Sequence, residues 1–119
     1  MSDEFLRVAT QEINQELSDI SRILGSCHSD SDVLKNSGLI EAHMHKIKGL
    51  APMMGKENVG ELAKTLDFIL KKMATGQNVP GFFESLSLSV DEMKIAMGKP
   101  HDLGTIQKDI SDAAEKLFD

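Results

Sequence analysis

The sequence predicts an all-helical domain. Three observations predict it. Apolar residues recur at offsets of three and four along most of the chain. Each such run is closed by glycine, proline or a polar cluster. The composition is rich in Leu, Met, Ala, Glu and Lys, with no Trp, no Tyr and only 3 prolines.

The first helix is expected from about Ser2 to Leu24, on the stripe Leu6, Ala9, Ile13, Leu17, Ile20 and Leu24. Ser2, Asp3 and Glu4 suit its amino end as cap and dipole partners, and Gly25 suits a left-handed stop. Ser26 to Ser31 reads as a polar loop. A second helix is expected from near Asp32, anchored by Val33 and Leu34 and then weakened by Asn36-Ser37-Gly38, where the poor propensities predict a frayed or bent first turn. Pro52 has no N–H for the Lys48 carbonyl, which predicts a kink between Lys48 and Pro52.

Asn58 followed by Glu61 reads as a capping box for a third helix over about Val59 to Ala74, ending at Gly76. Its stripe is Val59, Leu62, Ala63, Leu66, Ile69, Leu70 and Met73, and its nearness to Met54 makes it an antiparallel neighbour of the second helix. A fourth helix follows, with Pro80 in its first turn and a stripe through Phe82 or Phe83, Leu86, Val90, Met93 and Met97 up to Gly98. Ser85 to Val90 also alternates with period two, but a lone six-residue strand would have no partner. Asp102 is the expected cap of a fifth helix on Leu103, Ile106, Ile110, Ala113 and Leu117, with a carboxyl end expected to fray. The prediction is one domain over residues 1–119: an antiparallel four-helix bundle enclosing a core, with a fifth helix packed alongside.

Charge and composition narrow the function. A formal net charge of −6 argues against nucleic acid, whose phosphates call for clustered Lys and Arg without an acidic excess. Cys27 is the only cysteine, so no intramolecular disulfide is expected and a reducing compartment is. No apolar run approaches the ~20 residues of a membrane span, and the start Met-Ser-Asp-Glu lacks the basic residues of a signal peptide. A cytoplasmic protein without membrane insertion is expected.

The organising stretch is Glu41-Ala-His-Met-His-Lys-Ile-Lys-Gly-Leu-Ala-Pro-Met-Met-Gly55. Ile40, His43, Met44, Ile47, Leu50, Ala51 and Met54 form its apolar stripe, while Glu41, His45, Lys48 and Gly49 fall on the other side. His45 lies two residues from both His43 and Ile47, about 200° around a helix, so it faces water when they face the core. An imidazole, with a reference pKa of about 6.5, is a good nitrogen nucleophile at neutral pH. Here it stands beside an ammonium group and a position with no side chain.

At these residues the chain resembles a histidine phosphotransfer (HPt) domain, whose signature is H-x-x-K-G followed by small or apolar residues and another glycine. The match runs His45-Lys46-Ile47-Lys48-Gly49-Leu50-Ala51 and on to Gly55. It is most like the amino-terminal phosphotransfer domain of CheA-type chemotaxis histidine kinases, and the likeness extends over nearly the whole chain. The resemblance implies that His45 is the phosphoacceptor, that Lys48 lies beside the phosphoryl group, and that Gly49 leaves room for in-line approach. A histidine kinase ATP-binding domain would load the group, and a response-regulator receiver would take it onto an aspartate. No cofactor is expected on this domain; ATP and Mg²⁺ belong to those partners. In CheA-type domains a glutamate and a histidine of the third helix approach the imidazole. The matching positions are Asp67 and Lys64, so both depart from the family. Asp67 is one methylene shorter, and Lys64 would add positive charge. Glu41, one turn before His45, is a second candidate for orienting the ring.

Plainer readings stand beside this one. His43, on the apolar stripe, is expected to be buried or half-buried and to donate to a carbonyl, and His28 and His101 to be surface. No histidine pair has the i, i+4 chelating spacing, and Cys27-His28 alone is too few ligands, so a metal-binding bundle ranks low. The methionines read as core filler, and Lys46, Lys48 and Lys56 as a solvated positive face. The alternative to phosphotransfer is a helical adaptor whose histidine is not phosphorylated.

Overall fold

Short-range helical signals dominate the chain, and the computed structural model, which describes residues 1–118, contains no strand among them. Its elements are α1 (Asp3–Gly25), α2 (Asp30–Lys35), α3 (Ser37–Leu50), a 3₁₀ turn (Pro52–Met54), α4 (Glu57–Ala74), α5 (Phe82–Gly98) and α6 (Gly104–Glu115). The expected fraying at the carboxyl end extends to Asp119, which lies outside the described residues.

Ser2 caps α1 as its sequence position suggests, its Oγ accepting from the Phe5 N–H at 3.0 Å. Ala9, Ile13, Leu17, Ile20 and Leu24 are its buried stripe. Gly25 is not a left-handed stop. It is the last helical residue, Ser26 follows in the right-handed region, and among the described residues positive φ occurs only at Gly55, Gly76 and Gly81.

The expected second helix is two helices. Ser29 caps α2 through the Asp32 N–H at 3.2 Å, so the helix starts before Asp32. Asn36 then closes α2 and opens α3 at φ −104° and ψ 7°. Its side chain donates to the Asp32 carbonyl at 2.8 Å, and Ser37 Oγ donates to the Leu34 carbonyl at 2.7 Å. Asn and Ser compete with the backbone ladder in this way, which turns the expected bend into a break.

Pro52 likewise ends a helix rather than kinking one. α3 stops at Leu50, Pro52 opens the 3₁₀ turn, and Gly55 at φ 83° turns the chain directly into α4. That turn starts α4 at Glu57, so Asn58 lies inside the helix and forms no capping box with Glu61, although its Oδ1 accepts from the Val59 N–H at 2.9 Å. Its amide instead donates to the His101 carbonyl at 3.1 Å. Contacts of α3 and the 3₁₀ turn with α4 pair Glu41 with Lys71, His45 with Asp67, and Pro52 with Gly60, an antiparallel register in which one number rises as the other falls.

α5 begins after Pro80, which lies just outside it, and Phe82 rather than Phe83 enters the core. Ser85 to Val90 is helical, with Ser89 Oγ donating back to the Ser85 carbonyl at 2.8 Å. Leu103 holds the cap position of α6, while Asp102 Oδ1 accepts from the Gly104 N–H at 2.8 Å, and Ala114 is more deeply buried than Ala113. One contiguous apolar core draws on every helix. α3 packs on α4 and α1, α5 on α1 and α4, and α6 on α4 and α5. No helix among the described residues is long and apolar enough to cross a membrane.

Candidate functional site

Ile40, Met44 and Ile47 are fully buried and fix which way α3 faces. That orientation turns His45 outward, its side chain 56% exposed, whereas the His43 side chain is 24% exposed. Across the α3–α4 seam, Asp67 is only 1% exposed.

The contacts of Asp67 converge on Oδ2. His45 Nδ1 lies 3.3 Å from it, Lys48 Nζ 3.2 Å and Lys71 Nζ 3.2 Å. Asp67 Oδ1 is buried without a hydrogen-bond partner among the described residues. Burial pushes the Asp67 carboxyl up, but the hydrogen bonds with Glu41, Lys71, Lys48 and His45 outweigh it and hold the group below the usual aspartate range. An ionised carboxylate only accepts, so its contact with the ring requires the proton on Nδ1 and leaves the Nε2 lone pair free.

Glu41 completes the cluster. Its Oε2 is 3.7 Å from His45 Nδ1 and 4.0 Å from Lys71 Nζ. Its carboxyl is held above the ordinary glutamate range by its hydrogen bond with Asp67, by burial and by the Asp67 charge, with Lys71 and His45 opposing. Asp67 and Glu41, the two orienting candidates, therefore both stand at the ring, with Asp67 the nearer. Gly49 is exposed, and a Cβ placed on it meets nothing within 4 Å.

Lys64 is exposed and makes no ion pair with Asp67 or Glu41 among the described residues. It lines, with Lys48, Pro52 and Phe68, an open groove of about 880 Å³. Phe118 also lines it and stacks on Phe68 with ring centres 4.9 Å apart. The ammonium that does join the carboxylates is Lys71. Sequence reasoning missed it, although the i, i+4 spacing from Asp67 is a readable signal.

The remaining candidates resolve otherwise. His43 is half-buried, but its partner is the Glu16 carboxylate, 2.7 Å from Nδ1, and not a backbone carbonyl. His28 is exposed, whereas His101 is half-buried with Nε2 3.1 Å from Glu92 Oε1. Lys56 is half-buried and donates to the Ala96 carbonyl at 2.9 Å, so it is no part of a solvated basic face. Burial, and then the Asp32 charge, push the Cys27 thiol up, away from the reactive thiolate.

Among the described residues, two groups bring three possible metal-ligand atoms within 4.8 Å of one another: Glu16 with Asp19 and His43, and Glu41 with His45 and Asp67. Protein cations already serve both. Arg22 bonds Asp19 at 3.0 Å and Lys46 lies 3.8 Å from Glu16, while Lys48 and Lys71 hold Asp67. No protein-family model matches the chain, and no curated protein or solved structure matches it significantly.

Proposed function

We propose that this chain is a histidine phosphotransfer domain of the CheA type, a phosphoryl carrier in a two-component pathway serving chemotaxis, and that it works in the cytoplasm. One observation carries the reading: a solvent-facing imidazole whose Nδ1 is held by a buried carboxylate, between two ammonium groups and beside an open glycine. The fold reading that accompanies it is a bundle of α1, α3, α4 and α5 with α6 alongside. The closed ring of packing, α1 on α3, α3 on α4, α4 on α5 and α5 on α1, supports it.

In this reading the Nε2 lone pair of His45 attacks the γ-phosphorus of ATP held by a kinase domain. An N–P bond forms, the bond to the bridging oxygen breaks, and ADP leaves with its electrons. The proton on Nδ1 stays shared with Asp67, which offsets the positive charge on the ring. In the return step an aspartate oxygen of a receiver domain attacks phosphorus, and the N–P electrons go back to Nε2. Lys48 is positioned to meet the roughly −1.5 to −2 charge that a phosphoryl group carries. Transfer of this kind is mainly positioning and charge stabilisation, so the metal and the nucleotide pocket can reside on the partners.

The charge pattern suits acidic partners. Between His45 and Lys72, Lys46, Lys48, Lys64, Lys71 and Lys72, with the half-buried Lys56 left out, stand against Glu57, Glu61 and Asp67, in a chain whose net charge is −6. The test incubates the chain with a CheA-type kinase domain and labelled ATP. Acid-labile label is expected on the wild type and on His43→Gln, and none on His45→Gln. Label retained by His45→Gln, or absent from the wild type with kinase domains that load other such carriers, overturns the reading.

A further inference from the structure

The family resemblance offers no role for Lys71, yet among the described residues its ammonium is the one lysine group that touches both of the carboxylates held against the ring. It lies 3.2 Å from Asp67 Oδ2 and 4.0 Å from Glu41 Oε2. We infer that Lys71 is a positioning residue for His45: it holds Glu41 and Asp67 together so that the ring keeps its Nδ1 proton directed at Asp67.

Two carboxylates placed beside one imidazole repel each other, and burial of Asp67 strengthens that repulsion by removing water. Lys48 relieves only Asp67, since no ion pair links it to Glu41 among the described residues. The groups facing the pair are Glu41, His45 and Lys48 from α3 and Asp67 and Lys71 from α4. Lys64 looks into the groove, and Glu16 and Asp19 of α1 face His43. Lys71 is therefore the only cation bridging the two acids among the described residues. The hydrogen bond with Asp67, burial and the Asp67 charge displace the Glu41 carboxyl upward, and Lys71 leads the groups that oppose that displacement.

Without the ammonium, Glu41 has two ways to relieve the repulsion. It takes up a proton and donates it to Asp67, or it swings into solvent. In the first case the Glu41 proton competes with Nδ1–H for the same oxygen. In the second the ring loses its neighbour one turn back on α3. Either way Nδ1–H loses one of the two carboxylates that hold it, and the two tautomers of a neutral imidazole mix.

The inference rests on the phosphotransfer reading for its functional consequence but not for its geometry, and one experiment on the full chain separates them. Carboxyl carbon and imidazole nitrogen NMR signals are followed against pH in the wild type, Lys71→Met and Lys71→Arg. Lys71→Met is expected to move the Glu41 midpoint upward by about three-quarters of a pH unit, the size expected for removing one charge at 4.0 Å in near-aqueous surroundings, or to abolish its coupling to Asp67. It is also expected to reduce the Nδ1–H population of His45, and Lys71→Arg to restore both. Phosphoryl uptake from a CheA-type kinase domain is expected to fall severalfold in Lys71→Met and to recover in Lys71→Arg, with melting curves overlaid. Unchanged Glu41 and His45 signals in Lys71→Met overturn the inference even if the wild type takes up phosphate. The expected shifts in a wild type that takes up none uphold the inference and overturn the phosphotransfer reading instead.

Discussion

Gly60 and Pro52 approach so closely that a Cβ on Gly60 would come within 2.6 Å of Pro52 Cγ and 2.8 Å of Cδ. Pro52 follows the end of α3, and Gly60 lies in the first turns of α4. Their contact sets the axial register of the two helices. Two helical turns from each end of it stand His45, seven residues before Pro52, and Asp67, seven residues after Gly60.

Gly60→Ala is expected to destabilise the chain, against the usual preference of a helix for alanine. The methyl group would meet a pyrrolidine ring, which cannot swing aside as the tip of a long side chain can. Overpacking of this kind costs roughly 1–3 kcal/mol, against about 1 kcal/mol gained from helix propensity. A fall in Tm of about 5 °C is expected by circular dichroism. An unchanged or higher Tm would mean that the turn yields without cost.

Gly49→Ala is the opposite case. Nothing in the chain lies within 4 Å of the added methyl, so stability should hold or rise by up to about 1 kcal/mol. If partners approach His45 across this bare backbone, phosphoryl uptake should nevertheless slow severalfold. A variant that melts higher and loads as fast as the wild type would remove Gly49 from the site.

What was legible in the sequence was what each residue carries by itself. Ile13, Leu17 and Ile20, or Leu62, Leu66 and Leu70, are apolar wherever they are placed, so their spacing alone predicts both helix and buried face, and all six are fully buried. The outward turn of His45 follows in the same way from the stripe Ile40, Met44 and Ile47. Caps depend on the preceding turn and were less legible: Asn58 has the composition of a cap, but the left-handed Gly55 starts α4 before it. Pairings between distant residues left no local trace. Glu16 and His43 are 27 residues apart, and nothing near either names the other.

The Asp67 carboxylate predicts a pH dependence with a definite sign. Its folded pKa lies below the ordinary value of 3.8, so its contribution to stability is fully present above that value and is lost as pH falls through the folded one. Asp67→Asn has no such contribution to lose. Its Tm should lie below that of the wild type at pH 5–7, by an amount corresponding to about 1 kcal/mol because the freed lysines are partly solvated. The gap should close below about pH 3.8. A constant gap down to pH 2.5 would show that the neutral side chain is the one that stabilises.

Asp30 provides the last test, because it caps a helix other than its own. Gly81, at the amino end of α5, has no side chain to accept from the first turn. Asp30, 51 residues earlier, supplies both oxygens instead, accepting from the Gly81 N–H at 2.7 Å and the Phe83 N–H at 2.8 Å. A carboxylate also complements the helix dipole there. Asp30→Ala is expected to cost about 1–2 kcal/mol, the upper part of the range for a lost cap, while Asp30→Asn keeps one acceptor and should cost about half as much. Amide hydrogen exchange should quicken first at Phe83 and the next turn of α5, since those are the groups left without a partner. Equal stability and unchanged protection in Asp30→Ala would mean that solvent replaces the carboxylate without loss and that α2 does not hold the start of α5 in place.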